Sequence, residues 1–501
     1  MESLIILAVY LLAMVGIGLY SWRKTKNVSD FVLGGRNVGS WLTAFAYGTS
    51  YFSAVVFIGY AGQFGWNYGL SATWIGIGNA LIGSLLAWLV LGRRTRVMTK
   101  HLESATMPDF FGKRYDSKAL RVVSSAIIFI FLVPYSASVY KGLGNLFSLA
   151  FDIDLNLCLV IMAAITGFYV IAGGYLATAI SDFVQGIIML AGIILVIVSV
   201  LSGKGGFTEA VNQLSQIQSA SGKTGIYTSL FGPDPMGLFG VIVLTSLGTW
   251  GLPQMIHKFY TIRDDKAIKK GTVISTVFAL VISGGSYFMG SFGRLYVEAG
   301  ENGKPAAGYD MIVPQMLKGN VSDILLGVVV VLVFSASMST LSALVMASSS
   351  TFTLDFLKGN IVKNMSVKAQ MLAIRILCAF FVILSLVIAL NPNNLITALM
   401  SLSWGALAGS FLAPFLYGLY WKGVTKAAVW ASFITGIGVT GSNYIISLAL
   451  GKAGGVGFTT PPMAGAIAML VSLAVVPAVS LLTKKIDKKV VETAFECYNE
   501  K

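Results

Sequence analysis

Apolar runs of about twenty residues alternate along the chain with short polar clusters rich in Lys and Arg. The first run, "SLIILAVYLLAMVGIGLYSW", lies between Glu2 and Arg23. A helix rises 1.5 Å per residue, so about twenty residues cross the roughly 30 Å hydrocarbon core of a bilayer. A closed β-barrel would instead show segments of about ten residues with alternating polarity, and the chain has no such series. The pattern predicts thirteen spans, at 3–22, 40–65, 68–92, 119–150, 156–176, 180–202, 236–260, 271–297, 321–352, 370–390, 394–421, 426–450 and 463–483. The fold class is therefore an all-α integral membrane protein with thirteen transmembrane helices.

Composition agrees: of 501 residues 56% are hydrophobic and 11% charged, where soluble domains carry about 25% charged residues. Mean hydropathy is +0.79. The formal charge of +14 raises the question of a nucleic-acid partner, which would require a clustered basic surface interleaved with aromatics. The charge is instead spread over alternate loops. With the N-terminus outside, the inner segments hold 26 of the 35 basic residues: Arg23 to Arg36, Arg93 to Lys118, Lys258 to Lys270, Lys358 to Lys368, Lys422 with Lys426, and Lys484 to Lys501. The outer loops hold five: Lys204, Lys223, Lys304, Lys318 and Lys452. Cytoplasmic loops collect Lys and Arg, so this split predicts an odd number of spans in the plasma (inner) membrane, with the N-terminus outside and the C-terminus cytoplasmic. The first run lacks a basic flank before its apolar core and reads as a retained helix.

Other motifs carry little. "GIGVTG", Gly436 to Gly441, has the glycine spacing of a dinucleotide site but no strand before it; inside an apolar run, small residues serve close helix approach. Cys158, Cys378 and Cys497 are too scattered for a disulfide framework or a zinc site. The two histidines, His101 and His257, are too far apart in sequence for a zinc-protease helix; beside basic loops they read as solvated. No enzyme is expected.

Two runs are interrupted. "AFAYGTSYFSAVVFIGYAG" places Gly48, Thr49, Ser50 and Ser53 near mid-membrane, and "TSLGTWGLPQMIHKFY" brings Gly248, Gly251 and Pro253 together. Glycine weakens a helix and proline removes a donor, and unwound backbone at membrane depth persists where it is buried or lines a cavity. Two such breaks five spans apart predict an inverted-repeat transporter. Its halves would be 40–202 and 236–425, with a first helix and inner loop at 1–39, an outer loop at 203–235, peripheral helices at 426–483 and a cytoplasmic tail at 484–501.

The ninth span carries "SASMST", Ser335 to Thr340. Ser339 and Thr340 lie three and four residues after Ala336, so their hydroxyls overhang the turn that carries its carbonyl. Three oxygens in one small volume suit a hard cation; equally, Ser and Thr in membrane helices bond back to carbonyls four residues earlier.

Taken in order, "DFVLGGRNVG", "GTSYFSAVVFIG", "GGYLATAISDFVQG", "WGLPQMIHKF", "SASMSTLSALVMASSS" and "SWGALAGSFLAPFLYGLYW" resemble the sodium:solute symporter family, particularly its proline and pantothenate branch, over residues 4–425. The resemblance implies a ten-helix inverted-repeat core of the leucine-transporter type within the thirteen helices. It also implies sodium as the coupling ion, held by Thr49, Phe52, Ala336, Ser339 and Thr340, and functional roles for Arg36 and Asp182. Tyr135 and Pro253 match positions of the proline pocket. Where proline carriers place an acid in the first break, this chain has Tyr51; Thr245 and Thr249 stand where they place aromatics, and Trp250 is displaced by one. Ser50 and Ser53, in the first break, complete the candidate solute set.

These readings converge on a sodium-coupled symporter that imports a small organic solute, an amino acid such as proline or a monocarboxylate or pantothenate. A proton-coupled carrier and a channel or sensor built on the same core are the alternatives. The expected partners are solute, sodium and the lipid bilayer, with no nucleic acid and no obligate protein partner.

Overall fold

The computed structural model describes residues 2–22, 32–219, 222–300, 303–318, 321–358, 360–391, 395–449 and 460–498. The long helices are α1 (Glu2–Trp22), α2 (Ser40–Tyr51), α3 (Lys118–Phe151), α4 (Leu155–Ser202), α5 (Pro235–Gly248), α6 (Pro253–Thr261), α7 (Asp265–Ala279), α8 (Asp323–Thr351), α9 (Val367–Ala389), α10 (Ile396–Tyr420), α11 (Lys426–Ala449) and α12 (Pro461–Leu482). No named strand occurs among the described residues.

Nine helices among the described residues are long and apolar enough to cross a membrane, with shorter apolar helices at Ile5–Met14 and Leu155–Phe168. One part of the difference from thirteen predicted spans is local. The 12 residues of α2 are half of a broken span. Its other half runs on into the third predicted span, so that Val55–His101 forms one helical path. That path turns at Gly69, whose φ is +63° and whose absent Cβ would lie 2.1 Å from the Tyr227 carbonyl oxygen, a backbone conformation and a space that only glycine fits. The spans predicted at 156–176 and 180–202 both fall within α4, whose apolar stretches among the described residues are Leu155–Phe168 and Thr178–Ser202. Of the basic inner segments, 23–31 lies outside the described residues, as do Lys452 and Lys501.

Helix α8 packs against α1, α3 and α4, and α2 packs against α4, α7 and α8. The two halves of the hydroxyl-bearing cluster, α2 and α8, are therefore neighbours over the face of α4. Helices α10, α11 and α12 form a second group. There Gly436 meets the α10 backbone so closely that a Cβ would lie 2.3 Å from the Ser410 nitrogen, while nothing lies within 4 Å of Gly438 or Gly441. "GIGVTG" is thus a helix-approach surface at its first glycine.

Candidate functional site

Both predicted breaks are present. Helix α2 stops at Tyr51, and Phe52 is extended (φ −111°, ψ 109°). The chain restarts at Ser53, whose carbonyl accepts from Val56 and Phe57 and whose hydroxyl accepts from the Val55 N–H at 3.2 Å. Ser53 is thus the cap of the second half-helix. The second break follows Gly248: the Trp250 and Gly251 N–H groups make tight bonds three residues back, Leu252 is extended, and Pro253 opens α6. Proline suits that position because the first helical N–H needs no partner within the helix.

Beside the first break, three elements converge. Ser339 Oγ of α8 lies 2.8 Å from Thr49 Oγ1 and 2.6 Å from Asp182 Oδ1 of α4. Thr340 Oγ1 donates to the Thr49 carbonyl at 3.2 Å, and Thr49 Oγ1 reaches the Phe45 carbonyl at 2.9 Å. All of these residues are buried, as are Phe52 and Ala336. Neighbouring hydroxyls behave otherwise: Ser337, Ser342 and Ser350 each bond the carbonyl four residues earlier, at 2.6, 2.6 and 2.5 Å. The two hydroxyls at the right spacing from Ala336 reach across to other helices. The sequence suggested a site of neutral oxygens; Asp182 adds a carboxylate to it. The other carboxylate oxygen of Asp182 is 3.7 Å from Lys258 Nζ of α6.

The predicted solute residues divide. Tyr51 stacks on Phe52 with centroids 4.2 Å apart and lies 5.9 Å from Trp404 of α10; Tyr135 meets the same Trp404 edge-on at 5.8 Å. The Tyr51 hydroxyl donates to the Thr245 carbonyl at 2.6 Å, which ties α2 to α5. Ser50 is buried with its hydroxyl unpartnered among the described residues. Thr249 and Trp250, in contrast, donate to the carbonyls of Gly83 and Ile82, each at 3.0 Å, and the Thr245 hydroxyl bonds back to Val241. Thr249 and Trp250 clamp the second break to its neighbour.

Arg36 sits on the face that carries the basic loops, in a turn with positive φ at Gly34, Gly35 and Arg36 itself. Its guanidinium donates to the carbonyls of Tyr260, Thr99 and Ser104 at 3.3, 3.4 and 2.5 Å. Beside it Val38 and Ile262 form an isolated bridge. Arg36 thereby ties the start of α2 to the end of α6.

Lys258, Gln254 and Trp404 were missed in the sequence. Lys258 belongs by position to a basic loop segment, yet it is buried; the signal for this is its place one turn after Gln254 and five residues after Pro253 in a helix opening from a break. Trp404 stood among small residues in a quoted motif. His257, read as solvated, lines a cavity with Thr178, Gln254, Lys258, Ser342 and Ser350, because α6 turns its polar stripe toward α4 and α8.

Paired broken helices around a buried polar cluster define a secondary carrier of the leucine-transporter-like class. The profile of the sodium:solute symporter family matches residues 31–436, and the chain belongs to that family. A sodium/proline symporter of Staphylococcus aureus is 32% identical over 452 residues, covering 87% of this chain and 84% of that one. Among solved structures, the substrate-bound outward-open state of a Na+-coupled sialic acid symporter aligns with a TM-score of 0.78 at 17% identity, covering 97% of this chain and 98% of that one. Mhp1, a nucleobase-cation-symport-1 family transporter in a closed conformation, aligns with a TM-score of 0.51 at 16% identity, covering 94% and 99%. The protein is an integral membrane symporter, not an enzyme, and sodium is its coupling ion.

Proposed function

We propose that this symporter imports a small carboxylate-bearing solute, proline first among the candidates, and that Thr49, Phe52, Ala336, Ser339 and Thr340 hold the coupling sodium. The carrying observation is that Ser339 and Thr340 reach Thr49 and Asp182 while the hydroxyls on either side bond back to their own helix. An oxygen cluster between a broken helix and an intact one suits a hard cation without its hydration shell. Sequence similarity to a sodium/proline symporter supports proline. The solute carboxylate would meet the N-terminal amides of the half-helix that begins after Phe52, where the helix dipole favours an anion. Ser50, Tyr51, Tyr135 and Trp404 would enclose its apolar body. Ser53, Thr245, Thr249, Trp250 and Pro253 then shape the breaks from behind.

One sodium entering at 100 mV supplies about 2.3 kcal/mol, and a tenfold gradient adds about 1.4 kcal/mol; together they support accumulation of several hundredfold. The test is uptake of radiolabelled proline, pantothenate, lactate and acetate into proteoliposomes, with and without a sodium gradient. Proline accumulation that collapses without sodium is the expected result. Accumulation driven equally by protons, or of none of the four solutes, overturns the reading.

The thirteen-span arrangement, its repeats at 40–202 and 236–425, and placement in the plasma membrane with the C-terminus cytoplasmic rest on the 26 to 5 charge split and belong to the same proposal. Cys497 is buried, so the exposed Glu492 is the better reporter. Glu492→Cys is expected to react with an impermeant thiol reagent only after permeabilisation; labelling in intact cells reverses the orientation.

A further inference from the structure

The ion pair between Asp182 and Lys258 occupies a position that sodium coupling makes significant. Both side chains are buried, and ionisable groups at membrane depth are costly and accompany ion pathways. Asp182 uses its two oxygens differently. Oδ1 accepts from Ser339 Oγ at 2.6 Å, and Ser339 in turn lies 2.8 Å from Thr49 Oγ1, so this oxygen faces the proposed sodium position. Oδ2 lies 3.7 Å from Lys258 Nζ, within pairing range but beyond an ordinary hydrogen bond. A sodium ion among Thr49, Ser339 and Thr340 would bring a second cation to a single carboxylate.

The geometry around Lys258 provides a second place for its ammonium. Gln254 precedes it by one helical turn on α6, on the same face, and both line the cavity together with Ser342 and Ser350. Gln254 is buried, and both its side-chain oxygen and its nitrogen lack a hydrogen-bond partner among the described residues. Its Oε1 is therefore an open acceptor one helical turn before Lys258, lining the same cavity, in a molecule where buried polar atoms ordinarily have partners.

We propose that Lys258 is a built-in counter-cation that competes with sodium for Asp182: its ammonium neutralises the carboxylate when the sodium position is empty, and arriving sodium displaces it toward Gln254 Oε1 and the cavity. This rests on the sodium position proposed above. Sodium affinity is then set by competition, and the empty carrier returns with its core charge compensated. A pair that merely held Asp182 in place would act in the opposite sense, since losing Lys258 would disorder a sodium contact.

The test is binding of radioactive sodium to the purified full-length chain, which needs no knowledge of the solute. Lys258→Met removes the competitor and is expected to lower the half-saturating sodium concentration about tenfold. Lys258→Arg keeps the charge, and its planar fork grips a carboxylate through two donors, so it is expected to raise that concentration severalfold. It also keeps the proposal open to test should Lys258→Met fail to fold. Unchanged or weaker sodium binding in Lys258→Met, or unchanged or tighter binding in Lys258→Arg, overturns the counter-cation. Thr340→Ala separates this failure from that of the sodium position: if Thr340→Ala weakens binding while the Lys258 variants depart from these directions, only the counter-cation falls. If Thr340→Ala leaves binding unchanged, the sodium position itself is wrong.

Discussion

Thr340→Ala is expected to raise the sodium concentration for half-maximal uptake roughly tenfold to a hundredfold. Its Oγ1 bridges α8 to the Thr49 carbonyl at 3.2 Å in a fully buried setting. A contact to a charged group is worth about 1.5 to 3 kcal/mol, and each decade of affinity corresponds to about 1.4 kcal/mol. Solute affinity at saturating sodium should change little, but it should fall at low sodium, because coupling between two ligands is reciprocal. Thr340→Ser keeps the oxygen and should be mild. Ser342→Ala is the control, since that hydroxyl bonds back to Met338 within its own helix. Sodium titrations of uptake that are indistinguishable for Thr340→Ala and Ser342→Ala would return both hydroxyls to helix packing.

Asp182→Asn is expected to act more severely and on two observables. The cluster loses its carboxylate, so the sodium requirement should rise more than for Thr340→Ala. Lys258, 3.7 Å away, is left buried without that partner; breaking one side of a buried pair costs about 3 to 5 kcal/mol, so thermal stability in detergent should fall as well. Asp182→Asn combined with Lys258→Met removes both charges. It should recover most of the stability while sodium binding stays weak, because residues in contact do not contribute additively. A double variant that recovers sodium binding would show that Asp182 serves the fold and not the ion.

Much of this architecture was legible in one dimension. Span positions follow from apolar length against bilayer thickness, a constraint that acts on each helix before any packing. The two breaks follow from Gly48 with its hydroxyl neighbours and from Gly248, Gly251 and Pro253, since glycine and proline act on their own backbone. Even the Ala336, Ser339 and Thr340 set follows from helical spacing.

The direction in which each hydroxyl turned was a matter for tertiary structure. A serine on a membrane helix always has its own carbonyl four residues back within reach, so the outcome depends on what stands opposite. Ser342 bonds back, whereas Ser339 finds Asp182 and Thr49, and Thr340 finds a carbonyl near the end of α2. Ser53 caps a half-helix, and the Thr249 hydroxyl is shared between the Gly83 carbonyl and the Ser246 carbonyl of its own turn, each at 3.0 Å. Lys258 and Asp182 are 76 positions apart in sequence, so the local pattern marks the lysine as one turn past Gln254 but cannot name its partner. Only the approach of α6 to α4 makes it the partner of a carboxylate. Sequence by itself determined which segments lie in the membrane and where two of them break, because those choices are made by each segment against lipid. The tertiary structure decided which polar atoms meet, because each had a local partner of nearly equal worth and the neighbouring helix settled the choice.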